Sequence, residues 1–127
     1  MSSFTDHLLI EDLGDGTFQL IKEFRYHVGD EESNNVICVP RNFTTDFASV
    51  PRLFWNIIPP YGKHGKAAVV HDYLYATNGM HGRFNRQRCD EIFLEAMTVL
   101  GVGAIKRTIM FRAVRMFGQK PWDKCNL

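Results

Sequence analysis

Along the first fifty residues, apolar positions fall in short β-like runs separated by polar turns. HLLIEDL and TFQLIKEFRYHV flank Gly14-Asp15-Gly16, a hairpin-type turn, and a third run, NNVICVP, follows the polar stretch GDEES. These runs predict antiparallel strands covering a common core. Past residue 50 the spacing becomes helical. VPRLFWNII predicts a short helix that Pro59-Pro60 stops, because proline brings no amide donor to the ladder. A second helix is predicted from about His64 to Ala76, ended by Asn78-Gly79. A third begins near Asn85, a residue suited to capping, and carries Cys89, Ile92, Phe93, Ala96, Met97 and Leu100 at helical intervals until Gly101 and Gly103 break it. The last, roughly residues 104–117, carries Ile105, Ile109, Met110, Ala113 and Phe117, with Gly118 as its stop. Strands followed by three to four helices predict an α+β fold, with residues 1–49 mainly β and residues 50–127 mainly α.

Length and composition narrow this picture without redirecting it. A chain of 127 residues suffices for one domain and not for two ordinary ones. Cys38, Cys89 and Cys125 are an odd, widely spaced set with no CxxC, which predicts free thiols in a reducing compartment. A formal charge of +1 argues neither for nor against a polyanionic partner. Aromatic residues are not interleaved with the basic ones in the way that stacks bases, so nucleic acid is not an expected partner. The start, MSSFTDHLLIEDLGDG, lacks the pattern of a signal peptide, and no apolar run approaches the roughly 20 residues that cross a bilayer.

The densest chemistry lies in AAVVHDYLY, residues 67–75, where a histidine and an aspartate follow an apolar run. On a helix His71 and Tyr75 share a face, and Asp72 is turned from His71 by about 100°, so the adjacent pair can face one cavity. If this helix packs antiparallel on the next, Asp90 returns alongside His71. A neutral imidazole takes a proton from water when a carboxylate fixes its other nitrogen, so Asp90 would orient His71 and Tyr75 would brace Asp90. Asp72 could hold a hard cation such as Ca²⁺ beside a reacting carbonyl. The competing expectation is a buried polar network that locks two helices, with Asp90 accepting hydrogen bonds from His71 and Tyr75.

HDYLY followed by RQRCDEIFLEAM resembles the two antiparallel helices of the phospholipases A2, the prokaryotic members above all, over residues 67–97. The resemblance implies His71 as base, Asp72 as calcium ligand, Tyr75 as brace and Asp90 as orienter, with a lipid or cell-envelope substrate. Upstream, IIPPYGKHGKA has Gly62 and Gly65 but none of the cysteines that cross-link the phospholipase calcium loop. TDFASVPR, HDYLY, the DxxFxxAM helix and the RAVRMFG ending also resemble, over most of residues 40–120, a small phage and prophage family known as a domain of unknown function. That resemblance implies synthesis in a host cytoplasm and, for a structural component, incorporation in the virion.

Two functions follow as expectations. The first is a phage-encoded, metal-assisted, hydrolase-like site in which His71 drives water onto an ester or amide carbonyl. The alternative is a virion, tail or assembly protein whose partners are other phage structural proteins or a host component, the His-Asp helix pair being only structural. In NFTTDFASVPRLFW, Asp46 is a further candidate metal ligand, or with Ser49 a cap for a helix over residues 52–57. His64 and His81 are expected on surface loops. Arg83, Arg86 and Arg88 form either a solvated turn or a lip for an anionic group. Lys106, Arg107, Arg112, Arg115 and Lys120 form a basic helix face, expected to be solvated, to pair with GDEES, or to meet phosphate or a membrane surface. Trp55 and Trp122 are expected to pack in the core or an interface.

Overall fold

The computed structural model describes residues 3–4, 8–15, 17–29, 36–45, 65–119 and 122–123. Six short strands come first: β1 (Ser3–Phe4), β2 (Ile10–Asp12), β3 (Phe18–Leu20), β4 (Phe24–His27), β5 (Val36–Val39) and β6 (Thr44–Thr45). Four helical segments follow: α1 (Gly65–Ala76), α2 (Asn78–Gly82), α3 (Arg86–Val99) and α4 (Ala104–Phe117). The fold is α+β, with α1 and α3 as the antiparallel pair that carries His71, Asp72 and Asp90.

Two features of the strand half depart from the sequence reading. TFQLIKEFRYHV is not one strand, because the exposed residues Ile21, Lys22 and Glu23 carry the chain from one sheet to another. β3 pairs with β2 and β6, whereas β4 pairs with β1 and β5, giving two three-stranded antiparallel sheets. Each side of the break keeps its own two-residue alternation, with Phe18 and Leu20, then Phe24 and Tyr26, turned into the core. The second departure is Thr44-Thr45, where the sequence reading named no strand. It forms an edge strand in register with Gln19 and Phe18, and Thr45 is buried. The rest of that segment, including Asp46, Ser49, the helix expected over residues 52–57, Pro59-Pro60 and His64, lies outside the described residues.

Helix α1 is the centre of the molecule. It packs against α3 on one side and against β5 and β6 on the other. Ala67, Ala68, Val69, Val70 and Leu74 lose all their solvent exposure. A helix apolar on all sides is one surrounded by protein, and the small side chains of Ala67 and Ala68 let its neighbours come close. The sheets contribute Leu20, Phe24, Tyr26, Ile37 and Val39 to the same core, and α3 contributes Cys89, Ile92, Phe93, Ala96 and Met97. Those five α3 positions repeat at three- and four-residue intervals, the spacing of one helical face. Tyr26 Oη also donates to Glu95 Oε1 at 2.6 Å, tying the sheet to α3.

The ends of the helices explain how the pair is held antiparallel. Asn85 caps α3, its side chain accepting from the Arg88 amide at 2.7 Å. At the other end Gly101 takes φ +78°, and Val102 N–H reaches back to Met97 O at 3.0 Å, a left-handed C-terminal closure. Between α1 and α3 the chain does something the sequence does not announce. Asn78, Gly79, Met80 and His81 all have positive φ, so α2 winds one turn left-handed. Gly79 is indispensable there, since a β-carbon would sit 1.7 Å from Phe84 O. At the three non-glycine positions the conformation is strained, by roughly 1–2 kcal/mol per residue.

His81 is exposed, so its left-handed backbone is not offset by packing. His81→Gly is expected to stabilise the fold by about 1 kcal/mol after the entropy of the added glycine, raising Tm by about 3 °C. Differential scanning calorimetry of the two proteins measures this, and an unchanged or lower Tm would count against the left-handed turn.

Candidate functional site

His71 lies midway along α1, on the side facing α3, and keeps 3% of its surface exposed. Its ring stacks at a tilt between Tyr75, at 4.3 Å between centroids, and Phe93, at 4.7 Å. Asp90 comes from the first turns of α3 and has no exposed surface. His71 Nε2 is 2.7 Å from Asp90 Oδ1, and Tyr75 Oη donates to the same oxygen, also at 2.7 Å. The second carboxylate oxygen, Oδ2, accepts from Arg115 Nη1 at 2.7 Å. One buried carboxylate therefore gathers three donors from α1 and α4.

The electrostatics of the cluster follow from that geometry. Burial alone would raise the Asp90 carboxyl, but the hydrogen bonds from His71, Tyr75 and Arg115 hold it below its ordinary value. Burial pushes the Tyr75 hydroxyl up, and its bond to the Asp90 anion pushes it further, so Tyr75 remains a proton donor. Cys89, next to Asp90, is pushed up to about 12, first by burial and then by the same anion, which leaves an inert thiol. Cys89 is a free thiol, while Cys125 lies outside the described residues.

An ionised carboxylate only accepts, so the Nε2 atom facing Asp90 must carry the hydrogen. In the neutral ring the other nitrogen, Nδ1, presents a lone pair. Among the described residues it is buried and has no hydrogen-bond partner. The arrangement leaves a fixed proton acceptor pointing away from its orienting carboxylate.

Asp72 sits on a different flank. Thr45 Oγ1 of β6 donates to Asp72 Oδ2 at 2.6 Å, so this carboxylate faces the sheet while His71 faces α3. Ca²⁺ takes about 6–8 oxygen ligands. Asp72 and Thr45 supply one carboxylate and one hydroxyl, and among the described residues no group of three or more His, Cys, Asp or Glu is placed to share an ion. Asp46, the other candidate ligand, lies outside the described residues. The described donors thus do not make up a calcium shell.

Arg115 and Arg86 are the site residues that sequence reading missed. Arg115 was read on a basic helix face that is solvated, pairs with GDEES or meets phosphate or a membrane surface, but it reaches inward to Asp90. Arg86 was read with Arg83 and Arg88 as a solvated turn or a lip for an anionic group, but its Nη2 donates to Val114 O at 2.9 Å and Arg115 O at 2.8 Å. Those are carbonyls in the last turn of α4, and Val114 O also accepts from Gly118 N–H at 2.8 Å. Trp122 closes the same region edge-on against Tyr75, at 5.1 Å between centroids. Arg88 behaves as a surface residue, meeting Glu91 at 3.9 Å. Among the described residues no helix is long and apolar enough to cross a membrane.

Sequence comparison places this cluster in a wider group. A family model described as "Protein of unknown function (DUF1353)" matches residues 18–114. The chain belongs to this family. The DUF1353 match runs from β3 through most of α4, contains His71, Asp72, Tyr75 and Asp90, and stops one residue short of Arg115. A relative, "Uncharacterized protein y4jT" from Sinorhizobium fredii (strain NBRC 101917 / NGR234), is 31% identical over 103 residues. The aligned part is 80% of this chain and 29% of that relative, so the chain spans less than a third of the relative's length. No solved structure matches the chain.

The lowered Asp90 pKa has a defined consequence for stability. Because the folded value lies below the unfolded value of about 3.9, its contribution is fully present above that pH and is lost as pH falls through the folded value. Asp90→Asn is expected to cost about 3–5 kcal/mol at pH 7, as breaking a buried ion pair does. The gap between the variant and the parent should narrow below about pH 4. Urea unfolding across that range measures it, and a gap that stays constant with pH would show that Asp90 is not ionised in the folded chain.

Proposed function

We propose that this DUF1353 chain is hydrolase-like, with His71 as the general base that delivers water to an ester or amide carbonyl. The observation that carries the proposal is the buried Nδ1, without a partner among the described residues, of a ring whose Nε2 is bonded to Asp90. A buried polar atom without a partner calls for an explanation, and a reacting water is the partner a hydrolase would provide. In that step the water oxygen bonds to the carbonyl carbon as its proton passes to Nδ1; the bond from that carbon to the ester oxygen or amide nitrogen then breaks, and the leaving group takes the proton from Nδ1. Asp90 holds the ring in the tautomer that can accept, and Tyr75 holds Asp90. The helix pair resembling phospholipases A2 supports the same assignment and points to lipid or cell-envelope esters. Origin in a phage, with synthesis in a host cytoplasm, rests on the resemblance of TDFASVPR, HDYLY and RAVRMFG to phage and prophage proteins.

A second reading has its own observation. His71 and Asp90 are almost wholly enclosed, as expected of a network that only locks α1 to α3 in a virion or assembly protein.

The two readings separate on one variant. For a hydrolase, His71→Gln lowers turnover of p-nitrophenyl esters or phospholipid vesicles by about 10²–10⁴-fold. For a structural lock, the parent shows no turnover and His71→Gln lowers only Tm. Calcium is tested apart from activity: calorimetric titration should give binding to the parent that Asp72→Asn weakens at least tenfold. No heat with either protein would remove Ca²⁺ from the proposal.

A further inference from the structure

We infer that Arg115 is a positioning residue that sets the tautomer of His71 through Asp90. Asp90 has two oxygens with different tasks, Oδ1 receiving His71 and Tyr75 and Oδ2 receiving Arg115. A buried carboxylate can also exist as the neutral acid, and in that form it donates as well as accepts. Only while Asp90 is an anion is Nε2 of His71 obliged to be the donor. Among the described residues Arg115 is the guanidinium bonded to that carboxylate, with its side chain about one-third exposed.

The surroundings hold Arg115 in place for this task. Arg86, at the start of α3, bonds the backbone carbonyls of Val114 and of Arg115 itself. Gly118 lets the end of α4 approach the site so closely that a β-carbon there would lie 2.7 Å from Tyr75 Oη. The end of α4 is therefore clamped over the pair formed by α1 and α3, and the guanidinium is delivered from a fixed backbone. Planar, always charged donors suit such a position, where a lysine would supply only a point charge.

The consequence for the proposed base rests on the hydrolase reading, but the test does not, because it reads the ring and not turnover. Histidine labelled with ¹⁵N is observed by long-range proton–nitrogen correlation at pH 7, with His71 assigned by the signal lost in His71→Gln. The parent should show the tautomer with hydrogen on Nε2. Arg115→Gln removes a charge-assisted bond to Asp90 and should move the tautomer ratio about tenfold towards hydrogen on Nδ1. Arg115→Lys keeps the charge without the fork and should move it by a smaller, few-fold amount. It also serves if the glutamine variant does not fold. A ratio unchanged in the variants that fold would overturn the inference whatever their Tm, because a residue that merely staples α4 changes stability and leaves the ring alone. If esters are not hydrolysed but the ratio shifts, the positioning role stands and the hydrolase reading falls.

Discussion

The helical half of the molecule depends on one carboxylate that has no contact with water. Moving a carboxylate out of water costs several kcal/mol unless donors replace the lost hydration. Asp90 receives those donors from His71 and Tyr75 on α1 and from Arg115 on α4. Each bond runs between helices and none within α3. The need of a single anion is thereby converted into an arrangement of three helices. Removing any donor leaves the remaining charge less well compensated, so the cluster is more than the sum of its pairs.

The position of α1 makes such compensation compulsory. With sheet residues on one side and α3 on the other, a polar side chain on α1 has little access to solvent. His71 meets Asp90, Asp72 meets Thr45, and Tyr75 meets Asp90, so each polar residue in the middle of α1 has a partner from another element. The same rule operates where Tyr26 on β4 meets Glu95 on α3. Apolar packing brings the layers together, and these few polar bonds fix which way each layer faces.

How much of this could be read from the sequence depends on the range of the interaction. The spacing of Cys89, Ile92, Phe93, Ala96 and Met97, the Asn85 cap and the Gly101 stop are local signals, and α3 and α4 lie where they predict. HDYLY and the aspartate of CDEIF belong to adjacent helices, so the meeting of His71 with Asp90 needs only an antiparallel turn. Arg115 was not legible because a basic residue on an amphipathic helix is ordinarily solvated, and nothing nearby in the chain marks it as turned inward. The break at residues 21–23 was hidden for another reason: Leu20 and Phe24 are four apart, so the alternation stays in phase across the switch between sheets. The left-handed α2 was beyond propensity altogether. Met80 is not a residue that favours positive φ, and a run of four such residues is rare even where asparagine, glycine and histidine contribute, so the short link between two packed helices imposes it.

Enclosure by itself does not separate a catalytic histidine from a structural one. A structural network is complete when every polar atom has a partner, and Asp90 and Tyr75 meet that standard. His71 does not, because among the described residues Nδ1 is buried without a partner while Nε2 is bonded to Asp90. A network evolved only to lock helices would gain by giving that nitrogen a donor, or by replacing the imidazole with a group that has no second polar atom. Phe93 beside the ring shows that the space accepts an apolar side chain. The cost of one unsatisfied nitrogen is borne at the point where an oriented base would need its lone pair. The proposal of a base rests on that nitrogen.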